Sequence, residues 1–488
     1  MGKQFRRVRH EKQARLSLSN ERADLQMSFT AGALSPFGGL PALAKVVKMV
    51  GLIEGPAARM SDHRTQGLID YNKFQLLRQC VLLCAAGYSD TNDADKFRED
   101  PALEEALELK DGETVASQRT VARFLNRATH GDLEGLADWL LEFYIRNQPA
   151  KRKRIYLYAD GTAVETHGKQ ERATYRGGKY KKEMLFPLVI FDDQGWLLSC
   201  LLRAGYDAEA TTIQPEVEKI VQKLRAYWPR VEIVLVIDGA FKSSALLNWC
   251  EENEVFYLAG YGNTHAVKVK AKEDAKALEK KFRKAHGEPR FTGKDGNKRA
   301  QEEHTRIRNI EDPQKRIDEE RKLTKRRKRG VFEDKHRASS WPKTDPQRRL
   351  IIRLEYTDKG LDTRCVLTNF TCYTAETIYD MYCCRGASEN WIGALKQCGK
   401  LRFNSQQFRA NHMRLYIHGL AYMALFLFRR RCSKPYQRLS LLRIKSTFIE
   451  IPVLATYRSS RTTLWEMSDR YQQQTEFLRI VRKLAKAS

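Results

Sequence analysis

Apolar residues recur every three or four positions through much of the first 150 residues, and this spacing predicts helices. The stretch YNKFQLLRQCVLLCAAG keeps this period and stops at Gly87. SQRTVARFLNRA follows, with Ser117 as a candidate N-cap. We therefore predict a basic N-terminal arm over residues 1–40 and a helical domain over residues 41–150.

At Lys151 the pattern changes from a helical period to strands. RIYLYADGTAV, MLFPLVIF and WLLSCLLRAG are predicted strands, and a turn at 192–195 joins the last two. TTIQPEVEKIVQKLRAYW is a predicted helix, and VEIVLVIDG is a strand apolar enough to be buried on both faces. SSALLNWCEENE then predicts a helix and VFYLAGY a strand. Residues 151–264 therefore predict a mixed α/β sheet.

The chain beyond this sheet is divided by changes in polarity. Residues 265–374 form a charged insertion ending in two strand-like runs, RRLIIRLEY and TRCVLTNF. Its charged part fits a phosphate-gripping arm and a solvated helical hairpin or loop equally well. Residues 375–432 are predicted to be helical, and 433–488 to form a basic tail. The apolar run IHGLAYMALFLF indicates a buried helix, because about a dozen residues cannot span a bilayer that needs roughly 20.

The net charge is the first indication of function. Lys and Arg total 87 against 60 Asp and Glu, which gives a formal charge of +27. A polyphosphate backbone is the commonest counter-charge for so basic a protein. Binding to a membrane surface and binding to RNA are the rival explanations. With a phosphate partner, the helical domain becomes a candidate DNA-binding domain, although the apolar residues of SQRTVARFL fit a recognition helix and a core-packed helix equally well.

Neither a secretory segment nor a zinc site is predicted. The N-terminus MGKQFRRVRHEKQ lacks the apolar core of a signal peptide. The ten cysteines contain no CxxC pair, and Cys80 and Cys84, one helical turn apart in an apolar stretch, are predicted core thiols. We expect a reduced, cytoplasmic protein that associates with the nucleoid.

Two aspartates stand at the ends of predicted strands. Asp160 ends RIYLYAD and precedes Gly161, and Asp238 ends VEIVLVID and precedes Gly239. Strand ends of an α/β sheet are where ligands gather, and paired carboxylates suit Mg²⁺. Either aspartate alone is as well explained as a turn former or a helix cap.

A third carboxylate lies in the segment YCCRGASENWIGALK, which contains in order Tyr382, Arg385, Glu389, Asn390, Trp391 and Lys396. If the segment is one helix, Arg385, Glu389 and Lys396 lie near one face. A metal-binding carboxylate would then be flanked by two cations suited to phosphate. An ordinary salt-bridged helix is the alternative, and it leaves Asn390 and Trp391 unexplained.

The spacing Y-(2)-R-(3)-E-(6)-K resembles the signature of bacterial insertion-sequence DDE transposases of the IS-four superfamily. The chain is most similar to the IS-thirteen-eighty group, in which an Asp motif is followed by HGxQ and the C-terminal block reads RGxxENWIxxLK and then FRANxxRL. Here ADGTAVETHGKQ, IDGAF and FRANHMRL match these motifs. Tyr158 stands where some relatives carry a second acid, and the charged insertion is longer than usual.

The resemblance implies a ribonuclease-H-like mixed-sheet core with a helical N-terminal domain, an inserted basic and β-rich region and a helical C-terminal part. It implies Asp160, Asp238 and Glu389 as catalytic ligands of two Mg²⁺ ions, with Mn²⁺ as a substitute. The residues implied to contact DNA are Tyr382, Arg385, Asn390, Trp391 and Lys396. The implied partners are double-stranded DNA, as transposon ends and target, and a second copy of the chain in a synaptic complex, with no ATP and no membrane.

Three other functions remain open from the sequence. A nuclease of the same fold would hydrolyse DNA without joining it. A transposase-derived protein with an inactive site would only bind DNA, and an RNA-binding protein would leave the three acids a coincidence. If the segment binds DNA, Trp391 would stack on a base. If it does not, packing of Trp391 in the core is an equally good explanation.

Overall fold

The computed structural model describes residues 14–16, 25–27, 31–110, 113–177, 180–207, 209–459 and 462–486. The chain forms two compact units. The first comprises Met1–Trp139, Glu165–Glu171 and Gly393–Ser488. The second comprises Leu140–Val164 and Arg172–Ile392.

The N-terminal part is mainly helical, as its periodicity predicts. Three short strands are β1 (Ala14–Leu16), β2 (Leu25–Met27) and β3 (Ala33–Ser35). The helices are α1 (Leu40–Met49), α2 (Glu54–Arg59), α3 (Lys73–Ala86), α4 (Asp93–Lys96), α5 (Pro101–Leu107), α6 (Gln118–Asn126) and α7 (His130–Arg146). Gly87 ends α3 in the left-handed conformation, with φ of 106°, and α6 begins directly after the predicted N-cap Ser117.

The predicted strands and helices of residues 151–264 are present. They are β4 (Arg154–Gly161), β5 (Val164–Glu165), β6 (Thr174–Arg176), β7 (Lys182–Leu185), β8 (Leu188–Phe191), β9 (Leu197–Leu201), α8 (Glu209–Tyr227), β10 (Glu232–Ile237), α9 (Ser244–Glu252) and β11 (Phe256–Tyr261). The single strand predicted for MLFPLVIF was wrong, because it is divided at Pro187 between β7 and β8. Proline lacks the amide hydrogen that a continuous ladder requires.

The charged insertion is helical before it becomes β-structure. Its elements are α10 (His265–Lys270), α11 (Lys272–His286), α12 (Gly296–Arg308), α13 (Pro313–Lys325), β12 (Arg327–His336), β13 (Arg348–Thr357) and β14 (Gly360–Thr368). Buried Phe282 of α11 packs against Tyr356 of β13, with ring centroids 5.2 Å apart. Arg290 and Arg326 both pair with Asp358 in the turn between β13 and β14, which ties the helices to that turn.

The C-terminal part contains helices and one β-hairpin. The elements are α14 (Ala375–Cys383), α15 (Gly386–Cys398), α16 (Phe408–Arg431), α17 (Lys434–Gln437), α18 (Leu441–Phe448), β15 (Val453–Ser459), β16 (Thr462–Met467) and α19 (Gln474–Lys486). The predicted basic tail is therefore folded over most of its length.

An eight-stranded mixed sheet organises the second unit, with strands in the order β12-β13-β14-β11-β10-β4-β8-β9. Strands β4, β8 and β9 form an antiparallel meander. Helix α8 returns the chain so that β10 lies parallel to β4, and after α9 strand β11 lies parallel to β10. This order is that of a ribonuclease-H-like core, so the predicted fold class is confirmed. Strands β14, β13 and β12 extend the sheet antiparallel from β11.

Helix α16 is the centre of the first unit. All of its residues from 408 to 428 except the exposed Arg409 are buried, and it packs against α1, α3, α6 and α18. The buried helix predicted from IHGLAYMALFLF is therefore confirmed, and Cys80 and Cys84 of α3 are buried as predicted. Strand β3 pairs with β15, which also pairs with β16. Among the described residues, no helix has the length and apolarity that crossing a membrane requires.

Candidate active site

Two of the predicted carboxylates lie side by side at the ends of parallel strands. The register pairs Tyr158 with Val236 and Ala159 with Ile237, so Asp160 and Asp238 occupy the next position on adjacent strands β4 and β10. Asp160 accepts a hydrogen bond from the amide of Gly161 at 2.8 Å, and Asp238 accepts one from Ala240 at 2.9 Å. The sheet therefore brings together two acids that are 78 residues apart, as the strand-end argument predicts.

Arg385 connects the third carboxylate to the first. Its Nη1 lies 2.9 Å from Oδ2 of Asp160, and its Nη2 lies 3.1 Å from Oε1 of Glu389. The Asp160 side chain is only 14% exposed, whereas Glu389 is 64% exposed. Asp160 is thus a buried acid at the end of a strand, and the guanidinium of Arg385 connects it to the exposed Glu389.

The helix predicted over the YCCRGASENWIGALK segment is interrupted. Helix α14 ends at Cys383 and α15 begins at Gly386, so Tyr382 and Glu389 lie on different helices. Arg385 lies in the turn between them, where it still reaches Glu389 four residues later. The condition of one continuous helix is therefore not met, although Glu389 and Lys396 share α15.

The electrostatics of Asp160 reflect the crowding of like charges. Burial is the largest cause that raises its pKa, the charges of Asp238 and Glu389 add to the rise, and the resulting pKa is about 6. Arg385 and the Gly161 amide act in the opposite direction. The negative charges of Asp238 and Glu389 thus both act on the Asp160 carboxylate. A cation at this place would relieve this repulsion.

The donor chemistry of this cluster fits a divalent cation, although the carboxylates do not all converge. Carboxylate oxygens are the ligands that Mg²⁺ prefers, and Asp160 and Asp238 present them from rigid strand ends. Among the described residues, no group of three or more His, Cys, Asp or Glu side chains is arranged to hold one ion. The ion pair between Glu389 and Arg385 explains this, because it holds the third carboxylate on the guanidinium.

The other residues predicted to contact DNA lie around this cluster and beyond it. Tyr382 is half-buried, its hydroxyl lies where a Cβ on Gly260 of β11 would stand, and burial raises its pKa. Asn390 is exposed on α15. Lys396 lies in the last turn of α15, in the segment that belongs to the first unit, and burial lowers its pKa.

Trp391 packs inside the second unit. Its ring centroid lies 5.9 Å from that of Tyr158 and 5.7 Å from that of Phe191. Its indole edge lies against Gly195, where an added Cβ would come within 2.8 Å of Nε1. These are the contacts of the core-packing alternative.

Arg203, just after β9, is a residue of the site that the sequence did not reveal. It is 2% exposed, and it donates hydrogen bonds to the Phe186 carbonyl at 3.0 Å and to Oγ1 of Thr212 at 3.2 Å. Its guanidinium lies over the ring of Phe241, 5.3 Å from the centroid. A Cβ at Gly161 would lie 2.9 Å from its Nη2, so Arg203 packs directly beside the residue that follows Asp160. A lone arginine after an apolar strand gave no signal of this position.

Two other motif residues meet in the first unit. Oε1 of Gln170, in HGKQ, accepts a hydrogen bond from Nδ2 of Asn411, in FRAN, at 3.0 Å. Asn411 is fully buried and also accepts a bond from the Ser405 amide at 3.1 Å. A buried amide with satisfied hydrogen bonds fixes the segments it joins. This pair therefore has a structural role in the first unit.

Comparisons with known proteins identify the family of the chain. The family profile described as Transposase DDE domain group 1 matches residues 18–488. Among solved structures, the chain is similar to the piggyBac transposase synaptic complex with hairpin DNA, with 11% identity, a TM-score of 0.40, and coverage of 92% of this chain and 85% of that one. It is also similar to the Mos1 transposase paired-end complex with left transposon end, with 14% identity, a TM-score of 0.16, and coverage of 41% and 61%.

These structural similarities are too low to support a functional argument, and no curated protein sequence matches the chain. The family match is different, because it extends over nearly the whole sequence. It includes both strand-end aspartates, the glutamate on α15 and the helical region before them. The chain therefore belongs to the DDE transposase family.

Proposed function

We propose that this transposase cuts DNA at the ends of its element and joins the freed ends to target DNA. Asp160, Asp238 and Glu389 are its proposed catalytic carboxylates. The single observation that carries the proposal is the placement of Asp160 and Asp238 side by side on β4 and β10, with Glu389 tethered to Asp160 through Arg385. The match of residues 18–488 to a DDE domain supports the same assignment.

DDE transposases generally use divalent metal ions. Two Mg²⁺ ions, with Mn²⁺ as a substitute, would supply activation of the attacking oxygen and stabilisation of the leaving oxygen. Asp160 and Asp238 would hold them from the strand ends. Glu389 would complete the site, and its 64% exposure leaves its side chain room to turn from Arg385.

The cations around the acids have the chemistry to hold DNA. Arg385 is the proposed contact for the scissile phosphate, because a guanidinium binds phosphate oxygens in pairs. Tyr382 and Lys396 are each proposed to contact phosphates of the DNA, and exposed Asn390 is proposed to contact bases. Trp391 would affect DNA binding chiefly by supporting α15, since its ring packs on Tyr158 and Phe191.

The helical region 41–150 is the proposed reader of the DNA end. Arg119, Arg123 and Arg127 are exposed at four-residue intervals along and just beyond α6, and none has an ion-pair partner among the described residues. Beside α6 lies a cleft of about 620 Å³ whose lining includes Lys73, Arg123 and Arg127 together with Asp62, Asp70 and Asp132. The unpaired row of arginines along this cleft fits the phosphates of a duplex.

The finer assignments follow from the motifs. The IS-thirteen-eighty group remains the proposed subfamily, on the strength of the HGKQ, IDGAF and FRAN motifs. Synapsis of two element ends requires two active sites, so a homodimer on paired ends is the proposed assembly. A nuclease that does not join and a protein that only binds DNA are the competing functions.

The proposal can be tested with a duplex that carries an element end. Cleavage of this duplex is assayed with Mg²⁺, and binding is assayed in parallel without Mg²⁺. Glu389→Gln keeps the shape of the side chain and removes the charge. Glu376→Gln is a matched control, because Glu376 is an exposed glutamate in the first turn of neighbouring α14. We expect Glu389→Gln to bind DNA normally without nicking or joining it, and Glu376→Gln to behave as wild type.

Each competing function gives a different result. Cutting without joined products by the wild type would indicate a nuclease. Binding without cutting by the wild type would indicate an inactive derivative. Cleavage by Glu389→Gln at the wild-type rate would remove Glu389 from the catalytic set.

A further inference from the structure

Helix α11 carries a row of lysines on the surface of the charged insertion. Its members are Lys272, Lys276, Lys280 and Lys284, which follow one another at four-residue intervals and are all exposed. We infer that this row, the lysine ridge, binds phosphates of duplex DNA that continues past the catalytic edge of the sheet, where Asp160 and Asp238 end their strands. The inference rests on the proposed function, because it takes the cut DNA to lie at that edge, and it adds a second DNA contact.

The spacing of these lysines is unfavourable for the helix alone. Residues four apart are neighbours on a helix surface, so like charges there repel one another, and the ridge contains three such pairs in a row. At 1.5 Å per helical residue, its two ends are about 18 Å apart. Successive phosphates of one DNA strand are spaced 3.4 Å along the axis, so the ridge has the length of about five base pairs. A polyanion of that length would relieve the repulsion.

Most of the ridge has no acid partner. The exception is Lys276, which lies 3.4 Å from Glu273, and an ion pair as exposed as this one contributes little. Among the described residues, the other three lysines form no ion pair. The remaining acids of α11 are Asp274, which is half-buried, and Glu279, which pairs with Arg283 at 2.8 Å. The ridge therefore keeps most of its positive charge.

The sheet under α11 projects past the catalytic acids. The strand register continues from the level of Asp238 through Gly260 and Val366 to Ile351 of β13. Strand β13, which runs in the same direction as β10, continues for six more residues to Thr357. At about 3.3 Å per residue, this part of the sheet extends roughly 20 Å beyond the acids. DNA that leaves the catalytic edge in this direction would pass beside it.

Helix α11 lies on the projecting part of the sheet. Phe282 packs against Tyr356, the last residue but one of β13, with ring centroids 5.2 Å apart. The Tyr356 hydroxyl also donates a hydrogen bond to Glu279 at 3.0 Å. Lys280 and Lys284 stand two residues before and two residues after Phe282. The second half of the ridge is therefore carried by the projecting part.

The ridge lies on the face of the sheet opposite to the acids. Tyr356 faces α11, whereas Arg353, an odd number of residues away on β13, donates to the Tyr379 hydroxyl of α14 at 3.1 Å. Val236 packs in one cluster with Tyr379, and Asp238 follows it by two residues, so Asp238 ends on the α14 face. The ridge therefore stands apart from the scissile phosphate, and its expected effect is on DNA affinity.

The salt dependence of DNA binding without metal tests the inference separately from catalysis. The probe is a duplex of about 40 base pairs with an element end at its centre, which is long enough to pass the edge in both directions. Each neutralised phosphate contributes about 0.9 to the slope of log affinity against log salt. We expect Lys280→Gln combined with Lys284→Gln to reduce this slope by about 2 and to weaken binding at low salt about 10-fold or more. Arginine at both positions should bind as wild type.

A second pair of lysines gives a control with the same change in charge. Lys151 and Lys153 are exposed and precede β4, so they stand at the end of that strand opposite to Asp160. Lys151→Gln combined with Lys153→Gln should leave the slope unchanged.

Uncharged phosphates in the DNA locate the contact. Methylphosphonates are placed about four to nine base pairs from the cut, which corresponds to the projection of β13, first on one side and then on the other. On one side they should weaken binding by the wild type and cause no further loss in the double Gln variant.

Three results would overturn the inference. The double Gln variant could keep the wild-type slope. The Lys151 and Lys153 control could reduce the slope equally, which would assign the effect to net charge. The methylphosphonates could weaken the wild type and the double Gln variant equally on both sides of the cut. Because Mg²⁺ is absent, a wild type that fails to cut DNA would count against the proposed function and leave these readings intact.

Discussion

Replacement of Asp160 by Asn should make the metal-free protein more stable at alkaline pH while removing its activity. Burial raises the pKa of Asp160 from 3.8 to about 6, with the charges of Asp238 and Glu389 adding to the effect and Arg385 opposing it. This difference corresponds to roughly 3 kcal/mol between the charged and neutral forms of the folded protein. Asn resembles the neutral form, so the variant avoids that cost.

The sign of the effect fixes its pH dependence. The folded-state pKa of Asp160 lies above the unfolded value, so its contribution to stability is fully present below about pH 4 and is lost as the pH rises through about 6. The gain in the free energy of unfolding from Asp160→Asn should therefore be near zero at pH 4. It should grow between pH 4 and 6 and approach roughly 3 kcal/mol at pH 8 as an upper value.

Urea denaturation at pH 4, 6 and 8 in the presence of a chelator measures this gain. Asp318→Asn is a suitable control, because Asp318 is exposed on α13 and its nearest arginine nitrogen is 4.0 Å away. It should change stability by less than about 0.5 kcal/mol at every pH. Added Mg²⁺ should stabilise the wild type and not Asp160→Asn. The electrostatic reasoning would be refuted by a gain that is the same at pH 4 and 8, or by no gain at pH 8.

Two other substitutions test packing around the site. Gly161→Ala places a Cβ 2.9 Å from Nη2 of Arg203. We therefore expect the free energy of unfolding to fall by about 1–3 kcal/mol and DNA cleavage to become slower. An unchanged melting temperature in thermal unfolding would contradict the close packing. Asp358→Asn removes a carboxylate that is 6% exposed and pairs with Arg290 and Arg326. The substitution should lower the free energy of unfolding by about 2 kcal/mol at pH 7. These ion pairs lower the pKa of Asp358, so this cost should shrink as the pH falls below about 4; a cost unchanged down to pH 2 would exclude an ionic cause.

The sheet and its two aspartates could be predicted because their signals are local. Strand β10 has five buried residues in a row, and such a run is recognisable without knowledge of its neighbours. Asp160 and Asp238 could be assigned because each follows a run of this kind. Glu389 required the spacing of the segment around it, which is a pattern shared by a family and not a consequence of composition.

The remainder of the site depends on contacts between distant parts of the chain. Arg203 can be buried because the Phe186 carbonyl and Thr212 accept its hydrogen bonds. The sequence of β9 does not predict these acceptors. The division between α14 and α15 also has no local signal, since the only glycine of the turn region, Gly386, lies within α15. The helical regions continue on both sides of the two-residue turn at 384–385.

Arg385 is the cation that compensates the carboxylates of the site. Asp160 is largely buried, and the charges of Asp238 and Glu389 act against its ionisation. The guanidinium of Arg385 supplies a compensating charge 2.9 Å from Asp160, and it holds Glu389 at 3.1 Å with its other nitrogen. Arg385 therefore offsets part of the cost of holding the Asp160 carboxylate in a buried place beside two other acids. A divalent cation at the same place would supply further compensating charge.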